Sequence, residues 1–308
     1  MIWEPARLQN ISLQIITALQ LQGTADAISD VKDAVLHWIS DNPFLSGVHY
    51  QSAMECGLRI PVFFYCLKSL SNLSELEQKT IVEAMYFHAE LVSKHLSLYS
   101  SLGNHTICEC VGLIFAGAVF KNSKHGEAWL QKACSILESE LFHQILEDGG
   151  PAEQSLNYHR FILDLYWLAA DFLEANHLYD CSEWKPRLIK GEQFLHAFHG
   201  SSPAIGDSDD GYAIAPGVHP KKAPYAQQVE ELTVFRESGY TIIRPGDGLY
   251  FAFDHGPLGM PPLYNHGHAD ALSITLAQKG LILLADSGTF RYNNVQEWRR
   301  YFKGTRAH

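Results

Sequence analysis

The chain has no apolar stretch approaching the roughly 20 residues that a membrane-spanning helix needs. Its longest, Cys110 to Phe120, is closed off by Glu109 and Lys121. Low-complexity tracts are also missing, and 46% apolar with 19% charged residues is the composition of a chain that folds. Basic residues are few: 23 Lys and Arg against 34 Asp and Glu leave a net charge of −11. A surface of that sign repels phosphate backbones, which argues against a nucleic-acid partner. Cysteine is sparse and unpatterned. Cys56, Cys66, Cys108, Cys110, Cys134 and Cys181 sit in apolar helical stretches without a CxxC spacing, so they read as buried thiols rather than disulfides. Glu4, Pro5 and Arg7 stand where a secretory segment would need unbroken apolar sequence. No signal peptide is visible, and the sequence taken alone points to the cytoplasm. The lack of an internal repeat disfavours a regular solenoid.

What the chain does have is length, 308 residues, enough for one large domain or two ordinary ones, and two contrasting textures. Through about residue 200, apolar residues recur at three- and four-residue spacing near 11–22, 26–40, 50–71, 76–98, 106–120, 123–147, 151–176 and 183–198, which predicts eight helices. Connections such as Gly23-Thr24, Lys121-Asn122 and Gly149-Gly150 are short, so each helix should run antiparallel to the one before it, as in an irregular, incomplete α/α-toroid of paired helices. Residues 201–231 turn to Ser, Pro, Gly and Asp, including Gly206-Asp207-Ser208-Asp209-Asp210-Gly211, and read as a linker or a long functional loop. From 232 to 308 come short runs rich in β-branched and aromatic residues: Leu232–Phe235, Tyr240–Arg244, Leu249–Asp254, Ala271–Gln278 and Leu281–Asp286. Lys279-Gly280 and Pro245-Gly246-Asp247-Gly248 mark hairpins of an antiparallel sheet. The expected class is α+β multidomain, a helical domain at 1–200 and a sheet domain at 232–308. Five strands are too few for a sandwich. Either the sheet packs on the helical part or the sheet domain is incomplete. Charge follows the same division, with 13 basic against 23 acidic residues before 201 and 10 against 11 after it, so an acidic ligand would be drawn to the C-terminal part.

Three places carry chemistry. Thr106 and Glu109 have the spacing of a capping box, which would start a helix at 106 and leave Asn104 and His105 just outside its positive end, where a carboxylate would be favoured. Asn104 serves equally well as a simple turn residue. The helix expected from Pro151 carries Tyr158 and His159 in its second turn, after Glu153. Counting hairpins puts its start at the same end of the helical array as Asn104, although Tyr158 alone reads as a core aromatic. In Asn265-His266-Gly267-His268-Ala269-Asp270, an extended backbone would put both histidines on one face, a spacing suited to metal ligation or acid/base work. Asp286 and His308 would complete a metal site. A two-residue turn at 279–280 opposes that, because it sets Asp286 opposite Ser273, roughly 17 Å along the strand from His268. The metal reading therefore needs residues 266–270 to curl back or the turn to adopt another register.

These residues resemble the heparinase II/III-like family. His266-Gly-His268-Ala-Asp270-Ala-Leu-Ser273, Asp286-Ser-Gly-Thr289, Arg300-Tyr301 and Thr305-Arg-Ala-His308 carry the likeness. Trp3-Glu4-Pro5, Arg7, Asn104-His105 and Asp148-Gly149 to Glu153, Ser155, Tyr158-His159 follow in the family's order. The resemblance implies an α/α-toroid followed by antiparallel β-sheets (a β-sandwich region that continues past the point where this chain stops), and an enzyme acting on polysaccharides outside the cytoplasm, in the periplasm or secreted. It implies β-elimination on an acidic, uronate-bearing polymer such as a glycosaminoglycan. Asn104, with His105 assisting, matches the group that neutralises the uronate carboxylate. Tyr158 and His266 match the acid/base pair, Glu153, His159, Arg299 and Arg300 stand as substrate-binding candidates, and His268, Asp286 and His308 match ligands of a structural zinc. No organic cofactor is implied. Arg299 and Arg300 read equally well as solvated sheet-edge residues. A non-catalytic glycan-binding protein, an inactive truncated remnant and a His-ligated metallohydrolase are the competing readings.

Overall fold

The computed structural model describes residues 3–20, 25–198, 204–208, 211–227, 230–292 and 295–308. The Gly23-Thr24 connection and the Asp209-Asp210 pair lie outside them. All eight expected helices form: α2 Gln9–Gln20, α3 Ala25–Asp41, α4 Ala53–Ser69, α5 Glu75–Lys94, α6 Asn104–Val119, α7 Lys124–Gln144, α8 Leu156–Ala175 and α9 Lys185–Ala197. A short α1, Trp3–Ala6, precedes them, and α10, Gln296–Phe302, carries Arg299 and Arg300, for which a sheet edge was one of the two sequence readings. Two compact units interleave along the chain, one comprising 1–137, 164–180 and 212–221, the other 138–163, 181–211 and 222–308. Compactness therefore does not change over at 200 and 231.

In the first unit, α6 is buried from Asn104 almost to its end, as expected of a helix that is apolar all round. It crosses α4 at glycines: a Cβ on Gly112 would lie 2.6 Å from the Gly57 carbonyl oxygen, so any larger residue would push the helices apart. Charges are buried here too. Arg7 grips Glu55 through Nε and Nη2, both bonds 2.9 Å. Arg59, fully buried, donates to His88 Nε2 and the Ala6 and His49 carbonyls and lies over the Trp38 and Tyr50 rings.

In the second unit, β1 Leu232–Phe235, β2 Tyr240–Ile243, β3 Leu249–Asp254, β4 Ile274–Gln278 and β5 Leu281–Leu284 form one antiparallel sheet in chain order. Among the described residues there is a single sheet, not the two layers of a sandwich. Alternation decides its packing. Tyr240, Ile242, Tyr250 and Ala252 are buried in one cluster with Leu156, Phe194 and Phe198. Lys279 and Gly280 both adopt positive φ, 49° and 81°, the two-residue turn of a tight hairpin. The pairing Gln278↔Leu281 follows, but a bulge between Leu276 and Ala277 then sets Leu276 opposite Leu284. Strand β4 also begins later than expected. Residues 271–273 are not part of it, and Leu272 turns at φ 71° with its N–H on the Asp254 carbonyl. The segment from 266 to 273 thus curls out of the strand, which meets the condition that the metal reading had required.

Candidate active site

The helix carrying Tyr158 begins at Leu156, not Pro151. Residues 145–155 instead form a turn closed by an Ile145–Pro151 bridge. Pro151 has no N–H to give and fits that bridge. Asp148 holds the turn, its Oδ2 accepting from the N–H groups of Glu237 and Ser238 at 2.7 and 2.8 Å. Ser155 caps the helix: its hydroxyl accepts from the Tyr158 N–H at 3.2 Å and donates to the Asp207 carbonyl. Tyr158 therefore lies in the first helical turn, buried, its hydroxyl 2.9 Å from that of Tyr292.

His266 comes to Tyr158 from the loop between β3 and β4. Their rings face each other with centroids 4.1 Å apart and planes at 35°. His266 Nδ1 is 3.1 Å from Asp207 Oδ2, and its Nε2 lies 3.9 Å from Glu153 Oε1. Two residues on, His268 Nε2 is 2.8 Å from Asp207 Oδ1. Between them, Gly267 is obligatory, since a Cβ there would overlap the Leu258 carbonyl oxygen at 1.4 Å. Arg299 closes the group from α10. Its Nη1 and Nη2 bond the two oxygens of Asp207, and its guanidinium sits 4.7 Å over the Tyr292 ring. Burial alone would raise the Asp207 carboxyl. The hydrogen bonds from His266, His268 and Arg299 outweigh it and hold the group far below the usual carboxylate range. Asp207 pushes Arg299 up in turn, against the opposing effect of burial.

A second group adjoins this one. His308 Nδ1 is 2.8 Å from Asp286 Oδ2, and His308 Nε2 is 3.2 Å from His268 Nδ1. The ligand atoms of His268, Asp286 and His308 all lie within 4.8 Å of one another. Two imidazoles and a carboxylate so close are a donor set that a zinc ion accepts. His268, with one nitrogen toward this group and the other on Asp207, has the outer carboxylate that metal-bound histidines usually carry.

Tyr158, His266, Glu153, Arg299, His268, Asp286 and His308 are thus gathered in one unit. Arg300, next to Arg299 on α10, is exposed. His159, expected to meet substrate, is fully buried, with Nε2 2.8 Å from the Gly149 carbonyl, and burial holds its imidazole down at about 3. Asn104 and His105 belong to the first unit. They are the opening residues of α6, behind an N-cap at Gly103, rather than residues outside it. The expected capping box does not form. Thr106 donates to the Ser97 carbonyl and Glu109 accepts from the Ser97 N–H and hydroxyl, so both side chains hold the preceding loop. Sequence reasoning missed Asp207 and Tyr292. The signal for Asp207 was there, an acidic residue beside a glycine in a stretch read as a linker or a long functional loop. At Gly206, φ is 72° and a Cβ would come within 2.2 Å of the Gln154 carbonyl oxygen.

Comparison with known proteins bears on the family of the chain. The family model described as Heparinase II/III N-terminus matches residues 35–183, and the one described as Heparinase II/III-like, C-terminal matches residues 227–308. The chain belongs to the heparinase II/III-like family. A heparin-sulfate lyase of Bacteroides thetaiotaomicron is 27% identical over 168 residues, 52% of this chain and 24% of that protein. One from Bacteroides stercoris is 32% identical over 79 residues, 26% of this chain and 12% of that protein. The crystal structure of a heparinase III aligns with a TM-score of 0.74 at 20% identity, covering 97% of this chain and 53% of that one, a likeness of fold. This heparinase II/III-like chain thus spans about half of that structure and a quarter or less of those two relatives. Among its described residues no helix is long and apolar enough to cross a membrane.

Proposed function

We propose that this heparinase II/III-like protein is a polysaccharide lyase that breaks an acidic, uronate-containing glycan by β-elimination. The observation that carries the reading is the close approach of Tyr158 and His266, a phenol and an imidazole with ring centroids 4.1 Å apart beside a fixed carboxylate. Elimination needs two proton movements. A base takes the C5 proton of the uronate, and an acid protonates the departing O4. The C5 proton is α to a carboxylate and becomes removable only when that charge is neutralised. In this reading the Asn104 amide, with His105, neutralises it. Tyr158 protonates O4 and, as phenolate, takes a C5 proton on the same face. His266 takes a proton on the opposite face. The relatives named above as heparin-sulfate lyases support a glycosaminoglycan as the substrate class.

His268, Asp286 and His308 would hold a structural zinc ion. Its chemistry would be to fix three ligands and the loop bearing His266. Removing it with a chelator should lower the unfolding temperature, and readdition of zinc should restore it.

The test is incubation with a panel of uronate polymers, following the ultraviolet absorbance of the unsaturated uronate and weighing the products. Elimination produces absorbance and fragments whose masses sum to that of the parent. Fragments that have gained water would replace the lyase with a hydrolase, and no cleavage of any polymer would overturn the proposal in favour of a glycan-binding protein.

A further inference from the structure

Asp207 accepts from four side chains, and three of them have separate tasks. Arg299 approaches both of its oxygens, His266 Nδ1 approaches Oδ2 and His268 Nε2 approaches Oδ1, with the Thr289 hydroxyl also on Oδ1 at 3.4 Å. The side chain is fully buried, and its backbone is pinned as well. Its N–H donates to the His266 carbonyl at 3.1 Å, and its own carbonyl accepts from Ser155, the cap that sets Tyr158. Gripped by a guanidinium on both oxygens, Asp207 is a carboxylate, and a carboxylate can only accept. Each ring nitrogen that faces it must therefore carry the hydrogen. In neutral His266 that is Nδ1, which makes Nε2 the nitrogen with the basic lone pair. In neutral His268 it is Nε2, which puts the lone pair on Nδ1, the atom that faces His308 at 3.2 Å.

We infer that Asp207 is the positioning residue of this site, one carboxylate that sets the tautomers of His266 and His268 together and so aligns the base and the metal ligand. This rests on the lyase reading for the task of His266, but the tautomers themselves do not. The alternative, a carboxylate that merely fills the loop core, fixes no hydrogen. An amide would serve that role as well, whereas it cannot accept from both histidines. Its NH₂ must face one of them, and that ring must then reverse.

Nitrogen-15 NMR of the whole chain, with His266→Gln and His268→Gln spectra to assign the rings, reads the tautomers without substrate. The expected result is hydrogen on Nδ1 of His266 and on Nε2 of His268. A neutral His266 with its hydrogen on Nε2 and a bare Nδ1 overturns the inference, even where the wild type cleaves a uronate polymer. The expected tautomers in a protein that cleaves no polymer sustain it and remove only the lyase reading. Asp207→Asn supplies the second readout. Zinc titration against a competing chelator should show affinity about 10–100-fold weaker, and on a cleaved polymer kcat should fall by at least as much with KM unchanged. Wild-type zinc affinity and kcat in a folded Asp207→Asn protein would also overturn the inference. Where that variant does not fold, the wild-type NMR result decides.

Discussion

Glu109 and Asp207 are two carboxylates closed off from solvent, one in each compact unit. Burial acts on both in the same direction, raising the carboxyl, yet they end far apart. Glu109 accepts only from the Ser97 N–H and hydroxyl at 2.7 Å each, and among the described residues no cation bonds it. Burial outweighs those bonds and pushes it up to about 7. Asp207 has a guanidinium and two imidazoles, and is held down. Depth of burial therefore does not decide whether a carboxyl keeps its charge, and the partners do. A group that gains and loses its proton near neutrality serves to bolt a loop to a helix. A permanently ionised one can orient rings that do chemistry.

Tyr158→Phe should have the largest effect, because it removes the phenol while leaving the Asp207 charges in place. Turnover on a cleaved uronate polymer should fall by about 10²–10⁴-fold, with the unfolding midpoint unchanged. Arg299→Met makes Asp207 resemble Glu109, a buried carboxylate without its guanidinium. The expected cost is about 3–5 kcal/mol, measured by urea unfolding, and a loss near zero would mean that the histidines alone suffice to hold the charge. Glu109→Gln tests the other carboxylate. Folding raises its pKa, so the folded state binds the proton more tightly than the unfolded state between pH 4.5 and about 7. The stability that Glu109 contributes should therefore be fully present at or below the lower value, be lost through that window by on the order of 3 kcal/mol, and stay lost above it. Asp254 is also raised to about 7, so the readout is the difference between wild type and variant, which should change by that amount across the window, and an identical slope in both proteins would assign the pH dependence to other groups. Arg300→Ala should do least. Exposed and one residue from Arg299, it should shift stability by less than about 0.5 kcal/mol, and a loss comparable to that of Arg299→Met would erase the distinction between them.

Local rules carried most of the secondary structure. Helical period found α2 to α9, and alternation with Lys279-Gly280 found the strands and one turn, because those signals depend on neighbours a few residues away. Failures came where a distant partner outbid the local pattern. Thr106 and Glu109 have capping spacing, but the loop at Ser97 takes both. Pro151 looked like a helix start, but the bridge to Ile145 and the anchoring of Asp148 by Glu237 and Ser238 give residues 145–155 another use. Arg299 and Arg300 read equally well as substrate-binding or sheet-edge residues because nothing in their own segment announces that one of them reaches Asp207, 92 residues earlier.

For the candidate site, residue types and their spacing named Tyr158, His266, His268, Asp286 and His308, and family resemblance gave them tasks. The sequence by itself therefore determined α2 to α9, the strands and most of the inventory of reactive groups, all written in short-range pattern. Tertiary structure alone decided which groups meet. It curled residues 266–273 out of β4, shifted the β4–β5 register by a bulge, and brought a loop carboxylate at 207 onto two imidazoles and a guanidinium. The physical reason is that such a carboxylate is costly to bury until all its partners arrive together, and that condition belongs to the folded whole.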